Sequence, residues 1–207
     1  MTDPGAATSI SAARRRGDAA LAGHLGDETA ARALLADPDP DVRATALGAL
    51  VRMAGATAAD AASALEDVDP LVRRRACELG AALSDASFAS LLDDADDTVL
   101  EAACFAIGET RDTRAVPKLM GIATGHKDAL CRESAVAALG AIADPAGLPA
   151  LLAALNDKVQ IRRRAVIALA AIESPESELA IRSCLSDRDW QVRQAAEDLL
   201  GVIADDD

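Results

Sequence analysis

The sequence predicts an all-α fold, a right-handed α-α superhelix of about six helical pairs with an amino-terminal cap helix, and three observations carry that prediction. An acidic turn followed by an apolar residue recurs at Val42, Val72, Val99, Cys131, Ile161 and Val192, at intervals of 30, 27, 32, 30 and 31 residues. Alanine stands four residues after each of these anchors, at Ala46, Ala76, Ala103, Ala135, Ala165 and Ala196. The 207 residues are 51% hydrophobic but hold one Trp, two Phe and no Tyr, so the core they can bury is aliphatic and suits close helix-helix packing.

Residues 1 to about 7 have no periodicity and are expected to be disordered. A cap helix is predicted over residues 8–26. It is degenerate, since Arg14 would occupy the alanine place if Ile10 were the anchor, and such a cap shields the apolar edge of the first repeat. Six repeats follow, at about 27–54, 55–84, 85–111, 112–143, 144–173 and 174–204. The first helices of the pairs (helices A) are predicted at Glu28–Ala36, Ala58–Glu66, Ser87–Asp93, Arg114–Thr124, Gly147–Leu155 and Ser177–Leu185. Pro117 and Pro149 sit near the starts of theirs, where a missing N–H is tolerated.

Five of the six second helices (helices B) begin with an N-cap aspartate three residues before the anchor, at Asp39, Asp69, Asp96, Asp128 and Asp189, with Pro40 and Pro70 at the first helical position. The anchor and the residues four, five, seven, eight and eleven later are almost always apolar and face the core, as in Ile161, Ala165, Val166, Ala168, Leu169 and Ile172. Alanine at the fourth place is the tightest requirement, because a larger side chain would overpack a helix crossing there. The sixth repeat carries Glu197 where the others are apolar at the fifth place, which predicts a carboxy-terminal cap followed by the acidic tail Asp205–Asp207.

The run of acidic turn, apolar-Arg, Ala and then Leu-Gly is seen in Val42-Arg43 with Ala46, in Cys131-Arg132 with Leu139-Gly140 and in Val192-Arg193 with Leu200-Gly201. It resembles the HEAT-like repeats of the phycobilisome-lyase type over roughly residues 27–204. The resemblance implies a solenoid in which residues of helix B line the concave face. It is specific for fold, since such repeats serve enzymes, adaptors and assembly factors alike.

Net charge is −13, from 24 Asp and 10 Glu against 18 Arg and 3 Lys. Such a field repels phosphate backbones and argues against general nucleic-acid binding. The Asp excess with few Lys resembles the composition of salt-loving archaea, the alternative being an acidic cytosolic protein of a GC-rich bacterium. The longest apolar run, Ala165–Ile172, is too short to span a bilayer, and no signal-like segment opens the chain, so a cytoplasmic protein without membrane insertion is expected. Cys77, Cys104, Cys131 and Cys184 form no CxxC pair and read as small buried hydrophobes of a reducing compartment.

Arg43, Arg73, Arg132, Arg162 and Arg193 each follow an anchor; repeat three has Leu100 instead, and repeat five has Lys158 in place of the turn aspartate. Recurring together, Arg and Asp predict a ladder of ion pairs within or between repeats, rather than a basic stripe for an anionic ligand. The helix-B positions that the core does not require hold Arg74, Arg75 and Glu78, then Glu101, Phe105 and Glu109, then Glu133, then Arg163, Arg164 and Ile167, and finally Gln194. Exposed Arg and aromatic side chains in a groove are common interface anchors, which makes these eleven residues a candidate protein-binding face; the plainer reading is an ordinary solvated helix surface. Trp190 reads as a cover for the end of the solenoid, or as an anchor at its rim.

Catalytic signatures are lacking. His24 and His126 have no metal-ligand spacing around them, no His-Glu pair occurs, and neither P-loop, GxSxG nor GxGxxG is present, so no catalytic, cofactor or metal residue is assigned. The chain reads as a non-enzymatic scaffold or adaptor for another protein, in signalling or motility by analogy. The alternative is a lyase or chaperone-like subunit acting on a chromophore or cofactor protein.

Overall fold

The computed structural model describes the backbone of residues 4–83 and 86–204, and side chains between 11 and 201 except those of residues 81, 84 and 85. Among the described residues there are twelve α-helices and no strand. The chain divides into two compact units, residues 1–91 and 92–207. The predicted disorder of residues 1–7 falls partly, and the predicted tail 205–207 wholly, outside the described residues.

The first unit holds α1 (Pro4–Leu25), α2 (Glu28–Ala33), α3 (Pro40–Arg52), α4 (Ala58–Leu65) and α5 (Pro70–Glu78). Residues 4–7 are helical, against the expectation from composition: proline at the first helical position and an alanine-rich run let α1 extend upstream once its body is packed against α3. Ala19 and Ala22 of α1 are buried, and Gly23 comes so close to α3 that an added Cβ would lie 2.7 Å from Ala49 Cβ. Ala22, Ala31, Ala49 and Leu50 close a core with Leu35 and Met53 packed on it.

The second unit holds α6 (Asp97–Thr110), α7 (Val116–Gly125), α8 (Ala129–Ile142), α9 (Leu148–Ala154), α10 (Val159–Leu169), α11 (Pro175–Ser183) and α12 (Trp190–Ala204). Helices α6, α8, α10 and α12 are its B helices and pack side by side in that order, with α7, α9 and α11 as the matching A helices. The A helix predicted at Ser87–Asp93 is instead a five-residue 3-10 segment, Ala89–Asp93, too short to sustain an α-helix between the buried Phe88 and the turn at Asp94.

Caps form where the repeat predicts them. Asp39, Asp69, Asp96 and Asp128 each accept a backbone N–H at the start of a B helix, Asp189 accepts from Gln191 N, and Lys158 makes no such bond. Three B helices reach a left-handed residue twelve places after the anchor, Ala54, Arg111 and Ala143, with φ of 55, 51 and 58°. Those residues stop the helix at a modest backbone strain that glycine would relieve.

The six alanines four places after the anchors are all fully buried. Two neighbouring B-helix pairs approach closely at a glycine nine places after the anchor. A Cβ on Gly140 would lie 2.6 Å from Ala168 Cβ and 2.8 Å from its Cα, and one on Gly108 would lie 3.2 Å from Ala138 Cα. Gly140→Ala is therefore expected to destabilise by up to about 2 kcal/mol, overpacking of roughly 1–3 kcal/mol being offset by a helix-propensity gain near 1 kcal/mol. Gly121→Ala in α7, where an added Cβ meets nothing within 4 Å, should stabilise by up to ~1 kcal/mol. Urea melts of the two variants check the pair, and equal shifts would contradict the packing described.

The repeats are also joined by a ladder of ion pairs, as predicted, though the carboxylate is not the N-cap aspartate. It lies four or five residues before the anchor and closes its own turn: Asp37, Asp67 and Asp187 accept the N–H of Asp39, Asp69 and Asp189 at 2.9, 2.9 and 2.8 Å. The arginine of the preceding repeat meets that carboxylate with two N–H groups. Arg43 donates Nε and Nη2 to Asp67 at 2.8 and 2.7 Å, Arg132 to Asp157 at 2.6 and 2.8 Å, and Arg162 to Asp187 at 2.9 and 2.8 Å. The remaining Nη1 donates to a carbonyl of the arginine's own turn, that of Asp37, His126 or Asp157, so one guanidinium ties two successive turns. Arg15 of α1 supplies the same pair to Asp37, at 2.6 and 3.0 Å, so the cap helix carries a rung that the anchor-based reading assigned to no residue.

Arg162 is buried, so removing it strands the Asp187 carboxylate in a half-buried site. Arg162→Ala should cost about 3–5 kcal/mol in urea melts. The hydrogen bonds from Arg15, Arg132 and Arg162 hold the carboxyls of Asp37, Asp157 and Asp187 below the usual carboxylate range. At Asp67 burial opposes ionisation, and the Arg43 bond, the Asp69 N–H and the charges of Arg43 and Arg73 together overcome it. Since folding lowers these values, the stabilisation is complete above the unfolded-chain value of about 3.9 and is lost as pH falls through the lower folded values. Urea midpoints should be level above about pH 5 and fall steeply below about pH 4, and Arg162→Ala should flatten that fall.

Candidate protein-binding face

On the helix-B side of the second unit, two open grooves gather eight of the eleven predicted residues. The first, of about 380 Å³, is lined by Glu101, Phe105 and Glu109 of α6, by Leu130, Glu133 and the small residues Ala137 and Ala138 of α8, and by Arg164 of α10. Its floor is shallow in side chains because α6 and α8 meet at Gly108 and Ala138, which leaves Phe105 and Leu130 standing as walls. The second, of about 280 Å³, lies between α10 and α12 and is lined by Arg163, Ile167, Trp190, Gln194, Asp198 and Leu199 among others. The grooves share α10, with Arg164 facing one and Arg163 and Ile167 the other.

Four large apolar side chains of this face are exposed: Phe105 by 60%, Leu130 by 56%, Ile167 by 42% and Trp190 by 64%. Their neighbours four residues from the anchors are fully buried, so the exposure is a property of these positions and not of a loosely packed unit. Trp190 lines the second groove together with Arg163 and Ile167. Leu130, directly before the anchor Cys131, was missed by a reading that sorted residues only after the anchor. An apolar side chain in an otherwise polar turn is the signal that would have found it.

The charges are arranged unevenly. Arg164 Nη2 lies 3.6 Å from Glu133 Oε1, whereas Glu101 and Glu109 meet no basic side chain within 4 Å among the described residues. The first groove is therefore acidic overall. In the second, Gln194 Nε2 donates to Asp198 Oδ1 at 2.8 Å. The other three predicted residues belong to the first unit, where Arg74 and Arg75 both pair with Glu78, at 3.3 and 3.1 Å. Arg75 also lies over Gly48, with its Nη2 3.0 Å from where a Cβ would stand, so its guanidinium is partly occupied in covering α3.

A third cavity, of about 600 Å³, opens between the end of α10 and helices α11 and α12 and is lined by Leu169, Ile172, Ile181, Leu199 and Leu200 with Glu173 and Glu178 at its rim. None of the predicted residues lies there.

The ladder is interrupted once in the second unit, and the interruption is matched on both sides. Leu100 replaces the arginine, and His126 replaces the aspartate five residues before Cys131. His126 keeps the turn by accepting Asp128 N–H at Nδ1, 3.2 Å, and its Nε2 lies 3.7 Å from Asp97 Oδ1. Asp97, His126 and Cys131 thereby bring an oxygen, a nitrogen and a sulfur within 4.8 Å of one another. Sequence spacing hides this trio because Asp97 comes from the preceding repeat. Each of its donors already has a partner: Lys127 Nζ lies 3.5 Å from Asp97 Oδ2, and the Cys131 thiol points at the Asp97 carbonyl, 3.4 Å away. Burial, with the Asp97 charge, pushes that thiol up to about 11. The trio links the two turns at the interrupted rung, with the carboxylate in the earlier repeat and the imidazole in the later one.

Comparison with known proteins fits this architecture. The family profile for HEAT repeats matches residues 84–166, and that for the PBS lyase HEAT-like repeat matches residues 161–187, so together they cover half of the chain. None of the curated proteins matches it. Among solved structures, two engineered proteins superpose with TM-scores of 0.63 and 0.61 at 21% and 19% identity; each alignment covers 86% of this chain, and 99% and 97% of theirs. A designed armadillo repeat protein in complex with a (KR)4 peptide aligns with a TM-score of 0.50 at 18% identity, covering 91% of this chain and 89% of its own. At these identities the likeness is one of fold.

Proposed function

The chain belongs to the HEAT-repeat proteins, and we propose that it is a non-enzymatic scaffold that binds a protein partner through the helix-B face of residues 92–207. The observation that carries this reading is the set of exposed apolar side chains, Phe105, Leu130, Ile167 and Trp190, lining two adjoining grooves beside a fully buried alanine core. Aromatic and Arg side chains in such places are the usual anchors of protein interfaces. The fold allows the role, since an armadillo repeat protein of similar fold carries a peptide. Among the described residues no helix is long and apolar enough to cross a membrane.

A salt-rich cytoplasm is the setting that the surface suits. Crowded carboxylates repel one another, and ions screen that repulsion while the half-buried ladder pairs are screened far less. The melting temperature is therefore expected to rise between about 0.1 M and about 3 M KCl, as the Debye length falls from ~10 Å to below ~3 Å. A level or falling curve would speak against that setting.

The binding role is tested by affinity capture from native extract, comparing wild type with Phe105→Asp/Ile167→Asp and with Leu179→Asp, which alters an exposed residue of α11. Loss of a central anchor typically weakens binding by about thirtyfold. Partners captured by wild type and by the Leu179 variant should be lost from the double variant, with all three melting alike. Equal capture by all three would overturn the reading.

A further inference from the structure

We propose that the groove between α6 and α8 receives a basic segment of its partner, an apolar side chain lodged between Phe105 and Leu130 with lysine or arginine on either side of it. This deepens the binding role proposed above and rests on it. Three carboxylates, Glu101, Glu109 and Glu133, face the groove against a single cation, Arg164, and that cation stands within ion-pair distance of Glu133 alone. Glu101 and Glu109 are left to a partner. Their charge is not needed by the fold: neither takes part in a cap, a ladder rung or a helix pair among the described residues.

The apolar part of the groove has room for one side chain of leucine or phenylalanine size. Its floor is made of Gly108, Ala137, Ala138 and Ala141, which cannot fill it, and its walls are the two most exposed apolar side chains of α6 and α8. Burying a side chain of that size against Phe105 and Leu130 is worth about 1.5–3 kcal/mol before the cost of association, so the apolar contact needs charge complementarity beside it to hold a short segment.

Other occupants fit less well. A second copy of this chain would bring net charge −13 against net charge −13, which opposes association at low salt. Nucleic acid and anionic lipid would meet the groove with like charge. A cationic segment is favoured by the groove's own carboxylates at contact distance and, at low ionic strength only, by the field of the whole molecule, which molar salt screens out.

The test uses the full chain and two fluorescein-labelled peptides, one with a leucine flanked on both sides by short runs of lysine, the other with every lysine replaced by glutamate. Fluorescence anisotropy should show binding of the lysine peptide only. Glu101→Gln/Glu109→Gln should weaken it by about threefold to tenfold, with the melting temperature unchanged. Phe105→Ala should weaken it further, and added salt should weaken wild type far more than the double variant. Equal binding of both peptides, or unchanged binding by Glu101→Gln/Glu109→Gln, overturns the proposal. So does a dimer in sedimentation velocity that Phe105→Ala dissolves, since the groove would then hold a second copy. If the lysine peptide fails while capture from extract still depends on Phe105 and Ile167, the binding face stands and the basic occupant falls.

Discussion

Helices α6, α8 and α10 of this protein approach so closely at Gly108 and Gly140 that an added Cβ would meet the backbone of the next helix, and the packing of the second unit is arranged around that closeness. Alanine four places after each anchor and the two glycines Gly108 and Gly140 nine places after theirs are what the approach leaves room for. Small side chains at the crossing bring little apolar area of their own. Their benefit is indirect: they let the flanking Val, Leu and Ile residues of two helices interdigitate at full packing density. The same closeness shapes the surface. Where α6 meets α8 over Gly108 and Ala138, the bulk of the helices falls away on the helix-B side, and the next large residues stand exposed as groove walls.

Helices packed this closely through small residues can still slide or rotate past one another, and the arginine ladder restrains that. Each guanidinium holds the carbonyls of one turn and the carboxylate of the next, a planar fork that fixes the direction as well as the distance between turns. Because the carboxylate also closes its own turn through a backbone N–H, a rung cannot move without opening the start of a helix. At the interrupted rung, loss of the arginine at Leu100 and loss of the aspartate at His126 occur together, as they must if a half-buried charge is not to be left without a partner. Asp97 and His126 restore a weaker link at the same place.

The binding face is what remains after packing and ladder have taken their residues. Position by position, core and turn account for the alanines, the aliphatic side chains, the N-cap aspartates and the arginines after the anchors. Phe105, Leu130, Ile167 and Trp190 are explained by neither, and neither are Glu101 and Glu109. Residues whose chemistry is costly or unused in the free protein, gathered in two grooves that share one helix, are what a binding scaffold would display.

The sequence by itself determined the repeat, the anchors, the buried alanines and the N-caps, because each of these depends on spacing within one helix or one turn, where residues a few places apart are neighbours by geometry. It also reached eight residues of the grooves, by eliminating positions that the core claims. Tertiary structure decided the rest. Which aspartate meets which arginine depends on how one turn lies beside the next, some 25 residues away, so the partner proved to be Asp67, Asp157 or Asp187 and not the N-cap residue that sequence made conspicuous. Arg15, Leu130 and the Asp97–His126–Cys131 trio were hidden for the same reason: their neighbours come from another repeat. The division of the candidate face into an acidic groove, a mixed groove and a separate arginine cluster beside Glu78 follows from the facing of helices across those interfaces, which no spacing within a single repeat encodes.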